Sequence, residues 1–153
     1  MDLDTIDLKI LKELQKDSGI SNVELAKRIA LSPSPTLARV KALEQGKVIS
    51  RYVALADPQA LGLKVNVFIQ VSLEKQESGA LAQFEAAVSR FEEVLEVYLM
   101  TGDADYLLRL VLPDIQALER FILNHLTKIP GIRNIRSSFA LKQVKYKTAL
   151  PVG

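Results

Sequence analysis

The sequence predicts an α+β protein in two parts, with three short helices at the N terminus followed by a unit of order βαββαβ. Three observations predict this arrangement. Apolar residues recur at helical spacing up to Gly46, an alternation typical of strands begins at Val65, and Asp57-Pro58 and Gly62 separate the two regions. The length of 153 residues leaves room for one ordinary domain or two small ones.

The composition indicates a globular protein, since 48% of the residues are hydrophobic and 25% are charged. The longest uncharged stretch, 29–38, is about half of the roughly 20 residues that a membrane span needs. The acidic start at Met1-Asp2 lacks the pattern of a signal peptide. We therefore expect a cytoplasmic protein without a membrane partner. The chain has no cysteine and one histidine, His125, which argues against a disulfide or a metal site. No resident cofactor is expected.

The charges are unevenly distributed along the chain. Residues 27–51 carry six basic residues against the single acidic residue Glu44, whereas residues 1–26 carry an acidic excess. Such a basic block is the pattern expected of a surface that contacts phosphates. The alternative is a solvated face on which basic residues are unevenly scattered.

The first helix is predicted from Ile6, Ile10 and Leu14, with Asp4 as its N-cap and Gly19 as its stop. The second and third helices are predicted from the residues at which they begin and end.

The second helix opens on Ser21–Glu24, which fits a capping box, and the chain then turns at Ala30-Leu31. Ser32 is the expected cap of a third helix, which starts at Pro33 and ends at Gly46. Two short helices joined by a tight turn are typical of a helix-turn-helix, which binds double-stranded DNA. A three-helix packing unit without DNA contact is the alternative.

On a helical wheel the third helix buries Leu37, Val40 and Leu43 and turns Arg39 outward, where it is placed to contact guanine. Small polar residues beside the helix N terminus suit phosphate. The strand-like segment 48–54 is predicted to form a wing that brings basic residues to the DNA backbone. The predicted DNA-binding residues are Ser34, Pro35, Thr36, Arg39, Lys41, Lys47 and Arg51.

The second part alternates between apolar and polar residues from Val65 to Leu73, which predicts a half-buried strand. The further predicted elements are a helix with Leu81, Phe84, Val88 and Phe91 on one stripe, strands at 94–101 and 106–112, a helix capped by Asp114, and a strand at about 132–142. This order describes a ferredoxin-like sandwich, with both helices on one face of an antiparallel sheet. We expect the uncovered face to be apolar and, through Phe68, to form a homodimer.

Several short motifs follow one another in a defined order. They are Leu3-Asp4-x-x-Asp7-x-x-Ile10-Leu11-x-x-Leu14, Ser21-Asn22-Val23-Glu24-Leu25-Ala26, Leu31-Ser32-Pro33-Ser34-Pro35, Gly102-Asp103-x-Asp105-Tyr106-Leu107-Leu108 and Pro130-Gly131-Ile132. In order and spacing the chain resembles the leucine-responsive regulatory protein (Lrp/AsnC) family of transcription regulators. The resemblance implies that the first domain binds DNA and that the second assembles the protein and binds a small effector, often an amino acid. It also implies dimers that build into octamers.

The resemblance places the effector at the loop between the second and third strands, between neighbouring dimers, with help from the adjoining strand. A free amino acid needs an anion for its ammonium and N–H donors for its carboxylate, and this loop offers carboxylates and a glycine. A simple hairpin turn is the alternative. The flanking apolar residues favour leucine or methionine. The predicted effector-binding residues are Leu99, Met100, Thr101, Gly102, Asp103, Asp105 and Tyr106.

An enzyme is not expected, because nothing beside Asp103 and Asp105 forms a pair of nucleophile and base. An architectural DNA-binding protein that senses no metabolite is the main alternative. The predicted domains are a helix-turn-helix domain at 1–56, a linker at 57–63, and an assembly and effector domain at 64–153.

Overall fold

The computed structural model describes all 153 residues and divides them into two compact units. The N-terminal unit comprises Met1–Leu55 together with Val144–Gly153, and the sheet unit comprises Ala56–Gln143. The predicted domains assigned the C-terminal residues to the second domain instead. The structure differs because the chain returns to the N-terminal unit, where Gln15 Nε2 donates to the carbonyl of Leu150 at 3.1 Å and the Leu150 N–H donates to Gln15 Oε1 at 2.7 Å.

The N-terminal unit contains the three predicted helices, α1 (Thr5–Lys16), α2 (Asn22–Arg28) and α3 (Pro33–Gln45). Their apolar faces meet in a small core, whose buried members are Ile10, Leu25, Ile29 and Leu43. None of the helices in the chain has the length and apolar character that crossing a membrane requires.

The predicted caps are found at their positions, with two differences in detail. Ser21 Oγ accepts from the N–H of Glu24 at 3.1 Å, but the Glu24 carboxylate pairs with Arg28 at 3.3 Å and does not complete a capping box. Ser32 is the N-cap of α3, yet its hydroxyl makes no capping bond. Pro35 occupies the third helical position and has no N–H to donate, which removes one of the two usual donors to a capping hydroxyl.

Helices α2 and α3 both end in a Schellman motif, in which one residue is left-handed. That residue is Ala30 after α2, with φ of 57°, and Lys47 after α3, with φ of 60°. Gly46, the predicted stop of α3, has an ordinary φ of −74°. Its lack of a side chain serves close packing, because a Cβ there would lie 3.1 Å from the carbonyl oxygen of Ala42.

The sheet unit has the predicted order βαββαβ. Its elements are β1 (Val65–Leu73), α4 (Ser78–Val88), β2 (Val94–Leu99), β3 (Tyr106–Leu112), α5 (Ile115–Asn124) and β4 (Ile132–Phe139), with a short 3-10 turn at Leu126–Lys128. The antiparallel sheet has the strand order β2-β3-β1-β4. Strands β2 and β4 are shorter than predicted. Phe91 lies beyond the end of α4 but still packs against Phe121, with ring centroids 5.2 Å apart.

The core of the sheet unit lies on one face of the sheet, where Val67, Ile69 and Leu108 are completely buried beneath α4 and α5. The opposite, open face is mostly polar, which differs from the apolar face that we expected. It carries Asn66, Phe68, Gln70, Ser72, Glu96, Tyr98, Leu107, Arg109, Val111, Asn134, Arg136 and Ser138. The difference arises because Phe68 is an isolated aromatic residue in β1, where its neighbours on that face, Asn66 and Gln70, are polar.

Candidate functional site

Helices α2 and α3 form the predicted helix-turn-helix. Asn22 Nδ2, in the first position of α2, donates to the carbonyl of Pro33 at 2.8 Å and so joins the N-terminal ends of the two helices. The left-handed Ala30 makes the turn between them tight. The arrangement leaves one face of α3 exposed along its length.

The exposed face of α3 contains Ser34, Pro35 and Lys41, as predicted. It also contains Leu37, which is 43% exposed and was expected in the core. Leu37 was not predicted as a contact, because an apolar residue at helical spacing normally belongs to a core. On this face its side chain is suited to apolar contact with a thymine methyl group.

Thr36 takes the inward position instead of Leu37. Its side chain is completely buried, and its hydroxyl donates to the carbonyl of Ser32 at 2.9 Å. Because this bond satisfies the hydroxyl locally, a threonine can occupy the core at little cost. In this structure Thr36 therefore cannot reach a phosphate, in contrast to the predicted role.

Arg39 is directed toward α1, not toward the open face of α3. Its Nη1 donates to Asp4 Oδ2 at 2.7 Å and to Asp7 Oδ1 at 3.0 Å. The hydrogen bonds that Arg39 donates to the carboxylates of Asp4 and Asp7 raise the pKa of Arg39 above its ordinary value. The predicted guanine contact stays a prediction, but the structure gives this guanidinium other partners.

The segment 48–54 contains no strand, which differs from the predicted wing strand. No backbone N–H from Ser50 to Ala56 donates to another backbone group, so the segment lacks a strand partner within the chain. Tyr52 anchors it by donating to Glu44 Oε1 at 2.8 Å, and burial together with this bond raises the pKa of Tyr52 to about 12. The predicted contacts Lys47 and Arg51 are exposed along this segment.

The predicted effector loop joins β2 to β3. The N–H of Met100 donates to the carbonyl of Asp105 at 2.8 Å, and Gly102 has a φ of 110°, which favours glycine. The loop borders a cavity of about 220 Å³ lined by Gln70, Met100, Thr101, Asp103, Ala104, Tyr106, Leu107 and Arg136. Leu99, Gly102 and Asp105 do not line it.

The two carboxylates of the loop have different surroundings. Asp103 is exposed at the cavity. Asp105 accepts from the N–H of Leu73 at 2.7 Å and from Gln76 Nε2 at 2.8 Å, so that both of its oxygens are occupied by the chain itself. Only Asp103 has a carboxylate free to meet a cationic ligand group.

Tyr106 contributes to the wall of the cavity but is only 1% exposed. Its hydroxyl donates to Glu85 at 2.8 Å, and burial together with this bond raises the pKa of the Tyr106 hydroxyl well above its ordinary value. Its ring packs against Phe84, with centroids 4.6 Å apart. Tyr106 is therefore a fixed part of the wall and keeps its proton.

Arg136 and Gln70 also line this cavity, although neither was predicted as a site residue from the sequence. In the sheet Gln70 lies between Leu107 of β3 and Arg136 of β4. The only signal in the sequence was the strand alternation. It indicates on which face of the sheet a side chain lies, but not which residues of other strands lie beside it. No group of His, Asp or Glu residues in the chain is arranged to hold a metal ion.

Both units of the chain are similar to known proteins. Residues 66–150 match the Lrp/AsnC ligand binding domain, and residues 3–50 match a winged helix-turn-helix DNA-binding domain. The chain is 45% identical to the Bkd operon transcriptional regulator of Pseudomonas aeruginosa, over 99% of each chain. It is 41% identical to the leucine-responsive regulatory protein of Escherichia coli K12, over 99% of this chain and 92% of the relative.

Solved structures agree with these sequence matches. A transcriptional regulator from Neisseria meningitidis, solved as a complex with L-Met, is 41% identical and superposes with a TM-score of 0.94, covering 98% of this chain and 97% of the other. An AsnC family transcriptional regulator from Agrobacterium tumefaciens is 44% identical, with a TM-score of 0.93 and 97% of each chain covered.

Proposed function

The chain belongs to the Lrp/AsnC family of transcription regulators, whose members are not enzymes, and from this premise we propose that its effector is a single free amino acid bound in the cavity beside Asp103. The observation that carries the proposal is the presence of Asp103 and Arg136 in one cavity. A zwitterionic ligand needs an anion for its ammonium and a cation for its carboxylate, and these two side chains supply both.

The rest of the cavity supports a small apolar amino acid. Its volume of about 220 Å³ is below the roughly 300–1,000 Å³ of pockets that hold drug-sized ligands. Met100 and Leu107 offer apolar surface to the ligand side chain, and Gln70 offers an amide to its polar end. We therefore propose leucine or methionine, and the L-Met complex of the Neisseria relative supports this choice.

Calorimetric titration of the full-length protein with each of the twenty amino acids tests the proposal. We expect binding of leucine, methionine or both, and no binding of acidic or basic amino acids. If no amino acid binds, the proposed effector role is wrong and the architectural DNA-binding alternative takes its place.

For DNA, we propose that the exposed face of α3 enters the major groove and that flanking basic residues contact phosphates. The exposed residues that support this surface are Ser34, Pro35, Leu37, Lys41, Lys47 and Arg51. The few polar groups on this face favour recognition in which DNA shape contributes strongly. A role on DNA also supports the predicted cytoplasmic location.

For assembly, we propose a homodimer through the open face of the sheet, with dimers associating into an octamer. Phe68 is half-buried on that face, and Leu107 and Val111 lie on the neighbouring strand. Sedimentation analysis of the full chain tests this assembly. A monomer at micromolar concentration would contradict it.

A further inference from the structure

Asp4, Asp7 and Arg39 form a closed cluster of hydrogen bonds. The Asp7 N–H donates to Asp4 Oδ1 at 2.9 Å, and the Asp4 N–H donates to Asp7 Oδ2 at 3.1 Å, which completes a capping box at the start of α1. Arg39 Nη1 donates to the remaining oxygen of each carboxylate, at 2.7 and 3.0 Å. Every carboxylate oxygen of the cluster is therefore paired.

The cluster joins α3 to the start of α1. Asp7 is 5% exposed, and a carboxylate at that depth needs a cationic partner. The bonds of Arg39 are the only side-chain hydrogen bonds between α1 and α3. Farther along α3, Leu43 packs against Ile10 in the small core. Arg39 thus supplies the polar contacts between α3 and the start of α1, and Leu43 supplies apolar ones.

We propose that Arg39 is a positioning residue: held by the capping box of α1, it sets the orientation of α3 and thereby which face of this helix DNA meets. This inference rests on the proposed DNA-binding function. It replaces the guanine contact predicted from the sequence with a role that does not involve touching DNA.

The charges of the cluster also argue against a phosphate contact by Arg39. One guanidinium lies between two carboxylates, so the cluster has a net negative charge. The hydrogen bonds from Asp7 and Arg39 hold the pKa of Asp4 below its ordinary value, which keeps that charge in place at neutral pH. A phosphate approaching Arg39 would meet this negative charge.

The geometry of these bonds means that Arg39→Lys can distinguish a positioning role from a contact with guanine. Both bonds come from one nitrogen, Nη1, so an ammonium group can replace the guanidinium in the cluster. A guanine contact, by contrast, uses the planar fork of arginine and is not reproduced by lysine in the same way. Arg39→Lys therefore separates positioning from base recognition.

The experiment uses the full-length protein and two DNA duplexes, one selected by the wild type from a random pool and one of random sequence. Affinity is measured at several salt concentrations, at a temperature where circular dichroism shows every variant folded. The variants are Arg39→Lys, Arg39→Gln, Asp7→Asn and the double variant Asp7→Asn/Arg39→Gln. Lys41→Gln, on the exposed face of the same helix, is the matched control.

We expect Arg39→Gln and Asp7→Asn each to weaken binding to the selected duplex about tenfold, or ~1.4 kcal/mol. The double variant should be no weaker than the worse single variant, because both remove one cluster. Arg39→Lys should keep most of the affinity. The slope of log affinity against log salt should stay unchanged in Arg39→Gln and fall by about one in Lys41→Gln.

Three results would overturn the inference alone: Arg39→Lys as damaging as Arg39→Gln, a lower salt slope in Arg39→Gln, or unchanged affinity in Asp7→Asn. A loss of thermal stability without a loss of affinity in the folded variants would also overturn it, because the cluster would then be merely structural. Failure of the wild type to select any DNA would instead overturn the proposed DNA-binding function, and this inference with it.

Discussion

The carboxylate of Asp105 accepts a 2.7 Å hydrogen bond from the backbone N–H of Leu73, the last residue of β1. This bond fixes the loop between β2 and β3 to the neighbouring strand. Asp103, two residues earlier in the same loop, has no such partner and lines the cavity. One acidic residue therefore holds the loop while the other is available to a ligand.

Asp105→Asn is expected to destabilise the protein. The new amide can still accept from Leu73, but its NH₂ group would face the donating amide of Gln76. The free energy of unfolding should fall by ~1 kcal/mol, measured by urea denaturation. Asp114→Asn is the control, since asparagine caps a helix as well as aspartate does. An unchanged stability together with lost ligand binding would show that Asp105 contacts the effector.

Asp103→Asn should weaken amino-acid binding without affecting stability. Losing a charge-assisted hydrogen bond to the ligand ammonium costs about 1.5–3 kcal/mol, or roughly ten- to a hundredfold in affinity. Calorimetry with leucine and methionine measures the change, and DNA binding by the unliganded protein should persist. Asp2→Asn, at an exposed position outside the cavity, should bind as the wild type does. Unchanged affinity in Asp103→Asn would remove this residue from the site.

Arg136→Gln tests the other end of the ligand. The wild type should bind leucine at least about tenfold more tightly than leucine methyl ester, because the ester lacks the carboxylate that Arg136 meets. In Arg136→Gln the two ligands should bind with similar affinity. Arg133→Gln, on the same strand but outside the cavity, should keep the wild-type preference. A preserved preference in Arg136→Gln would place the ligand carboxylate elsewhere.

Ala30→Gly should stabilise the protein. Ala30 is left-handed, with φ of 57°, a conformation that glycine adopts without steric cost. Part of that gain is offset by the greater freedom of glycine in the unfolded chain, so we expect ~0.5–1 kcal/mol of added stability. Ala38→Gly, inside α3, should have the opposite sign and lose ~1 kcal/mol. Equal losses in both variants would contradict this interpretation of the turn.

A fragment of residues 56–143 should form dimers and bind no DNA. It contains the whole sheet unit and leaves out the helix-turn-helix and the C-terminal segment that belongs to the other unit. Sedimentation of the fragment beside the full chain measures the assembly. A folded but monomeric fragment would show that the dimer surface lies outside the sheet unit.

Features that depend on neighbours in sequence could be predicted. Asp4 and Asp114 were identified as N-caps because a capping bond joins residues three apart, and the structure shows both bonds. The alternation from Val65 to Leu73 likewise predicted β1 with its observed bounds. In these two cases the residues that interact or alternate lie close together in sequence, so the local pattern was sufficient.

Features that depend on distant partners could not be predicted in this way. The inward position of Thr36 required the carbonyl of Ser32 to satisfy its hydroxyl, and hydrophobicity alone favoured Leu37. The partners of Arg39 lie at the start of α1, and Arg136 and Asp103 line one cavity only because the strands pair. A helical wheel or a strand alternation assigns a face but does not identify what that face meets.

The pairing of Gln15 with Leu150 joins residues 135 apart in the chain. During synthesis the helices of the N-terminal unit leave the ribosome well before residues 144–153, which belong to the same unit. The unit that carries the helix-turn-helix thus cannot be complete until the whole sheet unit has been synthesised. An affinity tag fused to Gly153 would extend the segment that packs in this unit, whereas a tag at Met1 would leave that segment as it is.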